Sequence, residues 1–379
     1  MISDREACIV LNLISGIGYA RYSALVDRFG GPAAALEASA PELLELKGFG
    51  ENLAQAVSDW RNTVDLDGEL SLAERAGARI YTLADPDYPA ELRILPDPPL
   101  VLYCRGKLPD FSGGAVAVVG SRRMSGYGRR MTEKLTAEAV LAGWTVVSGL
   151  AFGVDAVAHG TTLDHDGVTV GVLGGGLMRI HPQEHVPLAA RIVESGGAIL
   201  SEFPMGFPVN RQSFPRRNRI VAALAQATVV VEAGLKSGAL ITAGLALDLG
   251  KAVFAVPGRA DEPQAAGCNK LIRDSSAKLL ESFQDVLDDL TYLPGFQPEL
   301  REGTEYRTEP EEPAEEALPR FFNELERRLY EVLSGQGPGG LEQLAAATGA
   351  PIGVLSGTLL ALEMRNIVVK SPDGCYALR

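Results

Sequence analysis

Residues 115–150 read AVAVVGSRRMSGYGRRMTEKLTAEAVLAGWTVVSGL, and this stretch is the clearest indication of the fold. It begins and nearly ends with valine-rich runs of strand length, Ala115–Val119 and Thr145–Ser148, and the segment 128–141 between them has the length of a helix. Near-continuous apolar runs predict strands that are covered on both faces, as in a parallel sheet. The stretch therefore predicts a strand–helix–strand unit.

The same alternation continues for about a hundred more residues. Further apolar runs of strand length lie at 169–173, 198–201, 228–232 and 252–256. Helical stretches separate most of the runs, at 154–163, 185–194, 219–225 and 240–247. Strands alternating with helices predict a doubly wound α/β domain with an extended Rossmann-like parallel sheet. We place this domain at residues 65–296, where residues 65–110 form a proline-rich start with short strands at 79–83 and 100–103.

Residues 1–64 predict a small all-helical module, because short helical segments alternate with glycine turns. Two of these turns, Gly16-Ile17-Gly18 and Gly48-Phe49-Gly50, resemble helix-hairpin-helix units, which present backbone N–H groups to DNA phosphates. The alternative is an interaction module in which the glycines only end helices. The net charge of −6 over residues 1–72 favours the alternative.

The C-terminal part divides into a linker and a small domain. Residues 297–319 are too rich in glutamate and proline to pack a core, which predicts an acidic linker. Residues 320–379 predict a winged-helix domain, with helices at 321–333, 341–348 and 354–363 and a two-stranded wing at 367–370 and 375–378. The last of these helices contains no basic residue, so the fold alone does not imply DNA reading.

The charge distribution leaves nucleic-acid binding open. The net charge is −13, but residues 1–72 and 299–317 each carry −6 and residues 318–379 balance, which leaves −1 for the middle of the chain. A local basic surface, and not the total charge, decides phosphate binding. Four widely spaced cysteines, an acidic N-terminus and the absence of an apolar run of about 20 residues predict a cytoplasmic protein without membrane contact.

Three loops that follow predicted strands carry anion-binding chemistry. In open α/β sheets, ligands bind at the carboxyl ends of strands, where small residues and helix N-termini accept anions. Arginine adds bidentate phosphate contacts, and an aromatic ring among basic residues is typical of single-strand binding. The candidate DNA-binding residues are Gly120, Ser121, Arg122 and Arg123 in the first loop, Arg211, Phe214, Arg217, Asn218 and Arg219 in the second, and Lys236 and Ser237 in the third.

Enzyme signatures receive little support. The chain contains no phosphate-binding loop of the ATPase type, and Arg179 occupies the third glycine position of a dinucleotide motif that would begin at Gly174. The segment His181–His185 matches an inverted zinc-protease pattern, but no further ligand cluster supports a metal. Asp155 and His159 lie four apart on one helix, where a structural role is favoured over acid–base chemistry. We therefore predict no catalytic residue, no metal and no cofactor.

A set of motifs in the predicted Rossmann-like domain resembles the DprA/Smf family of DNA-processing proteins. The motifs are VGSR at 119–122, SGLAFGVDAVAH at 148–159, SEFP at 201–204, FPRRNR at 214–219, KSG at 236–238 and VPG at 256–258. The resemblance extends to the terminal modules, since many members have a helical N-terminal module and a C-terminal winged helix. The chain departs from the family pattern at Ala239, usually serine, at Gly244, usually arginine, and at Met178 and His181, commonly Asp and Tyr.

The resemblance implies a non-catalytic role in natural transformation. Members bind and protect incoming single-stranded DNA, form homodimers through the Rossmann-like domain and load RecA recombinase onto the strand. The family's pocket roles fall on Arg122, Arg211, Phe214 and Lys236. Two other classes of function remain open, namely a Rossmann-fold hydrolase of nucleoside monophosphates and a protein-interaction scaffold. The hydrolase class would carry a Pro-Gly-Gly-x-Gly-Thr-type loop, where this chain has Gly-Leu-Lys-Ser-Gly at 234–238.

Overall fold

The computed structural model describes residues 2–290, 323–365, 367–371 and 374–378. The chain forms two compact units, Met1–Thr304 and Glu305–Arg379, which are described separately. The acidic linker predicted at 297–319 lies outside the described residues, and so do the domain ends predicted at residues 296 and 320.

The first unit is built on a nine-stranded sheet. Its strands are β1 (Ala78–Thr82), β2 (Val101–Gly106), β3 (Ala115–Val119), β4 (Thr145–Ser148), β5 (Thr169–Val172), β6 (Ala198–Ser201), β7 (Ala227–Val230), β8 (Ala252–Ala255) and β9 (Lys278–Leu279). Neighbouring strands from β3 to β9 pair in parallel, whereas β2 is antiparallel to both β1 and β6. The predicted α/β fold with a mostly parallel sheet is thus confirmed, with one reversed strand that the sequence pattern did not predict.

Helices surround the sheet and lead into it. They are α1 (Asp4–Leu13), α2 (Tyr19–Phe29), α3 (Pro32–Ala35), α4 (Ala40–Leu44), α5 (Glu51–Ser58), α6 (Trp60–Thr63), α7 (Leu66–Arg75), α8 (Ala90–Arg93), α9 (Gly126–Leu141), α10 (Val154–Asp164), α11 (Val186–Glu194), α12 (Ser213–Leu224), α13 (Ala239–Asp248), α14 (Ala266–Arg273) and α15 (Gln284–Leu290), with a 3-10 turn at Gln183–His185. Alternate residues of β3 face opposite layers: Ala115 and Ala117 pack with α12 and α13, and Val116 and Val118 pack with α9 and α10. Burial on both faces explains the unbroken apolar runs.

The order of the strands creates a crevice at the centre of the sheet. Across the sheet the order is β1-β2-β6-β5-β4-β3-β7-β8-β9. From β3 the chain proceeds outward through β4, β5 and β6. It then returns through α12 to β7, which lies on the other side of β3. In open α/β sheets, ligands bind at such a topological switch point, outside the carboxyl ends of the strands. Here the loops that follow β3 and β7 meet at that point.

The N-terminal helices share a hydrophobic core with one end of the sheet. Buried residues of α1, including Ile9 and Leu11, belong to the same cluster as Val101 and Tyr103 of β2. The guanidinium of Arg5 also donates to the backbone oxygen of Ile80 at 2.7 Å. The helices predicted over residues 1–64 are therefore packed against the sheet, and the domain boundary at residue 64 stays a prediction from sequence.

The second unit has the helices and wing that the sequence predicts. Its elements are α16 (Glu324–Gln336), β10 (Gly339–Gly340), α17 (Leu341–Thr348), α18 (Ile352–Met364), β11 (Val368–Lys370) and β12 (Cys375–Leu378). The three strands form a sheet in the order β10-β12-β11, so the predicted winged helix is confirmed with one extra short strand. Within the described parts of the chain, no single helix has the length and apolar composition of a membrane span; Leu341–Thr348 and Ile352–Glu363 pass such a test only as a pair bent by 107°.

Candidate nucleic-acid interface

A cavity of about 700 Å³ lies at the switch point between β3 and β7. We call it the rim cavity. Ten of the eleven predicted DNA-binding residues line it: Gly120, Ser121, Arg122, Arg123, Arg211, Phe214, Arg217, Asn218, Lys236 and Ser237. These residues come from three segments that are separated by up to about a hundred residues of sequence: the loops after β3 and β7, and the segment 211–218, most of which is the start of α12. The parallel sheet brings them together because its carboxyl ends share one edge. Arg219 does not line the cavity.

The turn between β3 and α9 is fixed by hydrogen bonds to Glu232 and Ser125. The N–H of Ser121 donates to the backbone oxygen of Glu232 at 2.7 Å. The buried Glu232 carboxylate accepts from the N–H of Ser125 at 3.0 Å, and Ser125 in turn caps α9 by accepting from the N–H of Gly128 at 3.0 Å. Gly153 has a φ of +78°, and a Cβ there would collide with the Ser121 oxygen. Only glycine fits this position. Its lack of a side chain lets the start of α10 pack directly against the turn.

Four cationic side chains project into the rim cavity without a neutralising partner. They are Arg122, Arg123, Arg211 and Lys236, all exposed. None of them forms an ion pair with any residue in the described parts of the chain. Surface arginines elsewhere in the first unit do form such pairs, for example Arg191 with Asp164 at 3.0 Å. The rim cavity therefore concentrates positive charge in a chain whose net charge is −13.

Phe214 is the aromatic ring of the rim cavity. Its side chain is half-buried, and the guanidinium carbon of Arg122 lies 5.1 Å from the ring centroid. The ring also packs near Gly174 and near the exposed His181, at a centroid distance of 6.2 Å for the histidine. The sequence left two interpretations of Phe214, a base-stacking platform and a buried core ring. In the structure the ring is neither fully buried nor fully exposed: it lies at the cavity wall, with Arg122 over one part of it.

Arg217 forms part of the cavity floor and faces the protein interior. Only 4% of the residue is exposed, and its Nη1 donates to the backbone oxygens of Gly149, at 2.5 Å, and Val172. Burial lowers the pKa of Arg217 to about 10, and the Asp155 carboxylate opposes this shift. Arg217 thus ties the loop that follows β4 to the last residue of β5, so its role at the cavity is to hold backbone in place.

One predicted site residue, Arg219, lies away from the rim cavity. Its side chain is buried, and Nη2 donates to the Glu202 carboxylate at 2.7 Å. The more exposed Arg216 approaches the same carboxylate at 3.0 Å. Burial raises the pKa of Glu202, and both guanidinium groups oppose that rise. The structure therefore places Arg219 in an internal ion pair and not at the candidate DNA site, because α12 begins at Ser213, earlier than predicted, and turns Arg219 inward.

The loop that follows β7 completes the cavity beside α12 and α13. The Oγ of Ser237 accepts from the N–H of Ala239 at 3.3 Å, at the start of α13. The Nδ2 of Asn218 on α12 donates to the Gly238 oxygen at 3.5 Å, which links α12 to the loop that follows β7. Gln264 was missed by the sequence analysis, although it also follows a strand: it lines the cavity and accepts from the Ser121 hydroxyl at 3.3 Å.

Asp155 and His159, the pair on α10, make hydrogen bonds inside the protein. The Asp155 carboxylate accepts from the N–H groups of Gly149 and Ala151, at 3.1 and 3.2 Å. His159 is buried and its Nδ1 lies 2.7 Å from the Thr169 hydroxyl. Burial lowers the pKa of His159 to about 3, which keeps the ring neutral. These contacts agree with the structural role that the sequence favoured for the pair.

The zinc-protease pattern gains no support from the geometry. The Nδ1 of His185 lies 2.8 Å from the backbone oxygen of Leu150, which occupies that nitrogen. Among the described residues, no group of three or more His, Cys, Asp or Glu side chains is arranged to hold a metal ion. The absence of zinc stays a prediction.

Comparison with known proteins identifies the family. Residues 79–291, more than half of the chain, match the family described as DNA recombination-mediator protein A. The chain belongs to the DprA/Smf family. Residues 309–374 also match the DprA winged helix domain.

Relatives within the DprA/Smf family resemble the chain over most of its length. It is 33% identical to protein Smf of Synechocystis sp., with 100% of this chain and 99% of the relative covered. It is 37% identical to protein Smf of Escherichia coli, with coverage of 77% and 75%. Two solved structures are similar at 31% identity. DNA processing protein A of Streptococcus pneumoniae has a TM-score of 0.64, with 76% of this chain and 98% of that chain covered. DNA processing protein A of Helicobacter pylori, whose structure concerns its single-stranded DNA binding mode, has a TM-score of 0.51, with 57% and 97% covered.

Proposed function

We propose that this DprA/Smf-family chain binds single-stranded DNA at the rim cavity and acts as a recombination mediator in natural transformation. One observation carries the proposal: four cations without ion pairs among the described residues line the same cavity as the half-buried ring of Phe214, at the topological switch point. Cations that follow a phosphate backbone beside an aromatic ring are typical of single-strand binding. A duplex hides its base faces, so we expect the single strand to be preferred.

The mediator role extends the binding proposal by analogy with the family. It comprises protection of the incoming strand, loading of RecA recombinase onto it, homodimerisation through the Rossmann-like domain and a cytoplasmic location. Strand-bound RecA, measured with and without the protein, tests the loading step, and the molar mass in solution tests the homodimer. A pure interaction scaffold is the alternative, and it would have no affinity for DNA.

We also propose that the chain is not an enzyme. Asp155 is the acid among the described residues that line the rim cavity, and its carboxylate is already bonded to two backbone N–H groups. A general acid or base needs to reach the substrate, and Asp155 is buried, with only 7% of the residue exposed. Release of a base from nucleoside monophosphates by the purified protein would overturn this part of the proposal.

Alanine substitutions in the second and third loops test the binding proposal. Arg211→Ala and Lys236→Ala should each weaken binding of single-stranded DNA and reduce the slope of log K against log salt concentration by about 0.7. Arg130→Ala is the matched control, because Arg130 is an exposed arginine that does not line the cavity and forms no ion pair among the described residues. If the control weakens binding as much as the two cavity variants do, the rim cavity is not the site.

A further inference from the structure

A second cavity, of about 590 Å³, adjoins the rim cavity. We call it the side cavity. The two share Arg122 and Arg123 in their walls, and the side cavity continues past them to Arg129, Met124 and Phe152. None of these last three was singled out by the sequence analysis. Arg122 and Arg123 therefore form a ridge with a concave site on either side.

The side cavity has one cationic wall and one apolar wall. Arg122, Arg123 and Arg129 provide the first wall, and none of the lining residues is acidic. Arg129 contacts Glu133 at 3.4 Å, but both side chains are about half exposed. Such an exposed pair is weak because water screens both charges, so Arg129 remains available to a phosphate. This arrangement of charge matches a nucleotide, which has an anionic side and a flat apolar side.

Phe152 stands on the apolar wall as a braced and accessible ring. The residue is 45% exposed. It contacts the ring of His185 at a centroid distance of 4.9 Å and an angle of 66°, and the Nδ1 of His185 is held 2.8 Å from the Leu150 oxygen. An edge-to-face contact can occupy at most one face of Phe152, so at least one face is clear of the histidine. Isolated exposed apolar residues are common, but this ring lies in a concave site beside three arginines.

We propose that the side cavity is a second nucleotide subsite, which binds the neighbouring residue of the single strand held in the rim cavity. Phe152 would stack on its base, as aromatic platforms do in single-strand binding, and Arg129 would contact its phosphate. The strand would pass over the Arg122–Arg123 ridge. This inference rests on the proposed function of the rim cavity. It adds a path for the strand, from the rim cavity into the side cavity, and two contact residues, Phe152 and Arg129.

The test is a set of anisotropy titrations with the full chain and oligothymidylates of increasing length. The shortest strand that binds should fill the rim cavity alone. For that strand, Phe152→Ala should have the same affinity as the wild type. On longer strands, Phe152→Ala should lose about tenfold in affinity, while Phe152→Trp should retain it. Phe214→Ala should weaken binding at every length. A Phe152→Ala affinity equal to that of the wild type at every length would overturn the inference.

The charge of Arg129 gives an independent measurement. Arg129→Gln should reduce the salt slope by about 0.7 on long strands and leave it unchanged on the shortest one. Arg130→Gln is the matched control, because Arg130 is an exposed neighbour on α9 that lines neither cavity. An unchanged slope for Arg129→Gln on long strands would also overturn the inference. If the wild type binds no strand at all, the proposed function fails and not the subsite alone.

Discussion

Arg122 and Phe214 touch each other, so their contributions to DNA binding should be coupled. The guanidinium lies over the ring at 5.1 Å, in the wall of the rim cavity. We expect a base that stacks on Phe214 to displace the guanidinium, which then contacts a phosphate. The perturbation is a double-mutant cycle made of Arg122→Ala, Phe214→Ala and the variant that carries both substitutions.

The expected magnitudes follow from the contacts. Loss of a hydrogen bond to a charged group costs about 1.5–3 kcal/mol, and loss of an aromatic stack costs about 1–3 kcal/mol. An exposed cation–π contact is worth about 0.5–1 kcal/mol. The wild type gives up that contact on binding, whereas each single variant has none to give up. The double variant should therefore lose about 0.5–1 kcal/mol more than the two single losses together.

Titrations of the four proteins against normal and abasic single strands at several salt concentrations measure the cycle. Arg122→Ala should lower the salt slope by about 0.7, and Phe214→Ala should leave it unchanged. Phe214→Ala should also lose more affinity on normal than on abasic strands. A double variant that loses less than the sum would refute the displacement, because it would show Arg122 and Phe214 acting as one preformed unit. A thermal melt identifies any loss that reflects unfolding: a lower melting temperature for Phe214→Ala, with equal losses on both strands, would indicate a buried core ring.

Three further predictions concern stability and the second unit. Arg219→Ala should destabilise the fold by about 3 kcal/mol, because it leaves the Glu202 carboxylate buried with one fewer partner. The affinity of the folded protein for DNA should stay unchanged. An unaltered denaturant midpoint would contradict the expected loss of stability. The folded pKa of His159, about 3, lies below its ordinary value of 6.5, so the stability from its neutral ring is complete above pH 6.5 and declines as the pH falls. Between pH 7.5 and 5.5 the loss should be about 1.4 kcal/mol, and His159→Gln should remove it from a chemical-denaturation series. Truncation after Thr304, the end of the first unit, should leave single-strand affinity within about threefold of the wild type, since all lining residues of the rim cavity are retained; a larger loss would place part of the DNA site in the second unit.

Much of the central sheet could be predicted because its signal is local. The buried strands of a parallel sheet are valine-rich runs, and β3 and β4 follow that pattern without interruption. The site was predictable for a related reason. Loops that follow parallel strands must meet at one edge, and so Arg122 and Lys236 could be placed together from strand positions alone.

The features of the fold and of the site that could not be predicted depend on contacts between residues that are distant in sequence. Four arginines within residues 211–219 look alike in the sequence, but α12 turns Arg217 and Arg219 inward, toward backbone oxygens and toward Glu202. The reversed strand β2 was not predicted either, because its direction is set by pairing with β1 and β6. Phe152 was read only as part of a family motif. Its exposure became visible only with the fold, since a phenylalanine between alanine and glycine gives no local sign that it faces solvent.

The most direct test of the account is a salt titration of the wild-type chain with a single-stranded oligonucleotide and with the same sequence as a duplex. If each of the four rim-cavity cations, Arg122, Arg123, Arg211 and Lys236, meets one phosphate, log K for the single strand should fall with log salt concentration at a slope of roughly −3. The single strand should also bind more tightly than the duplex at every salt concentration. Binding that does not depend on salt, or equal affinity for the two forms, would contradict the assignment of the rim cavity as a single-stranded DNA site.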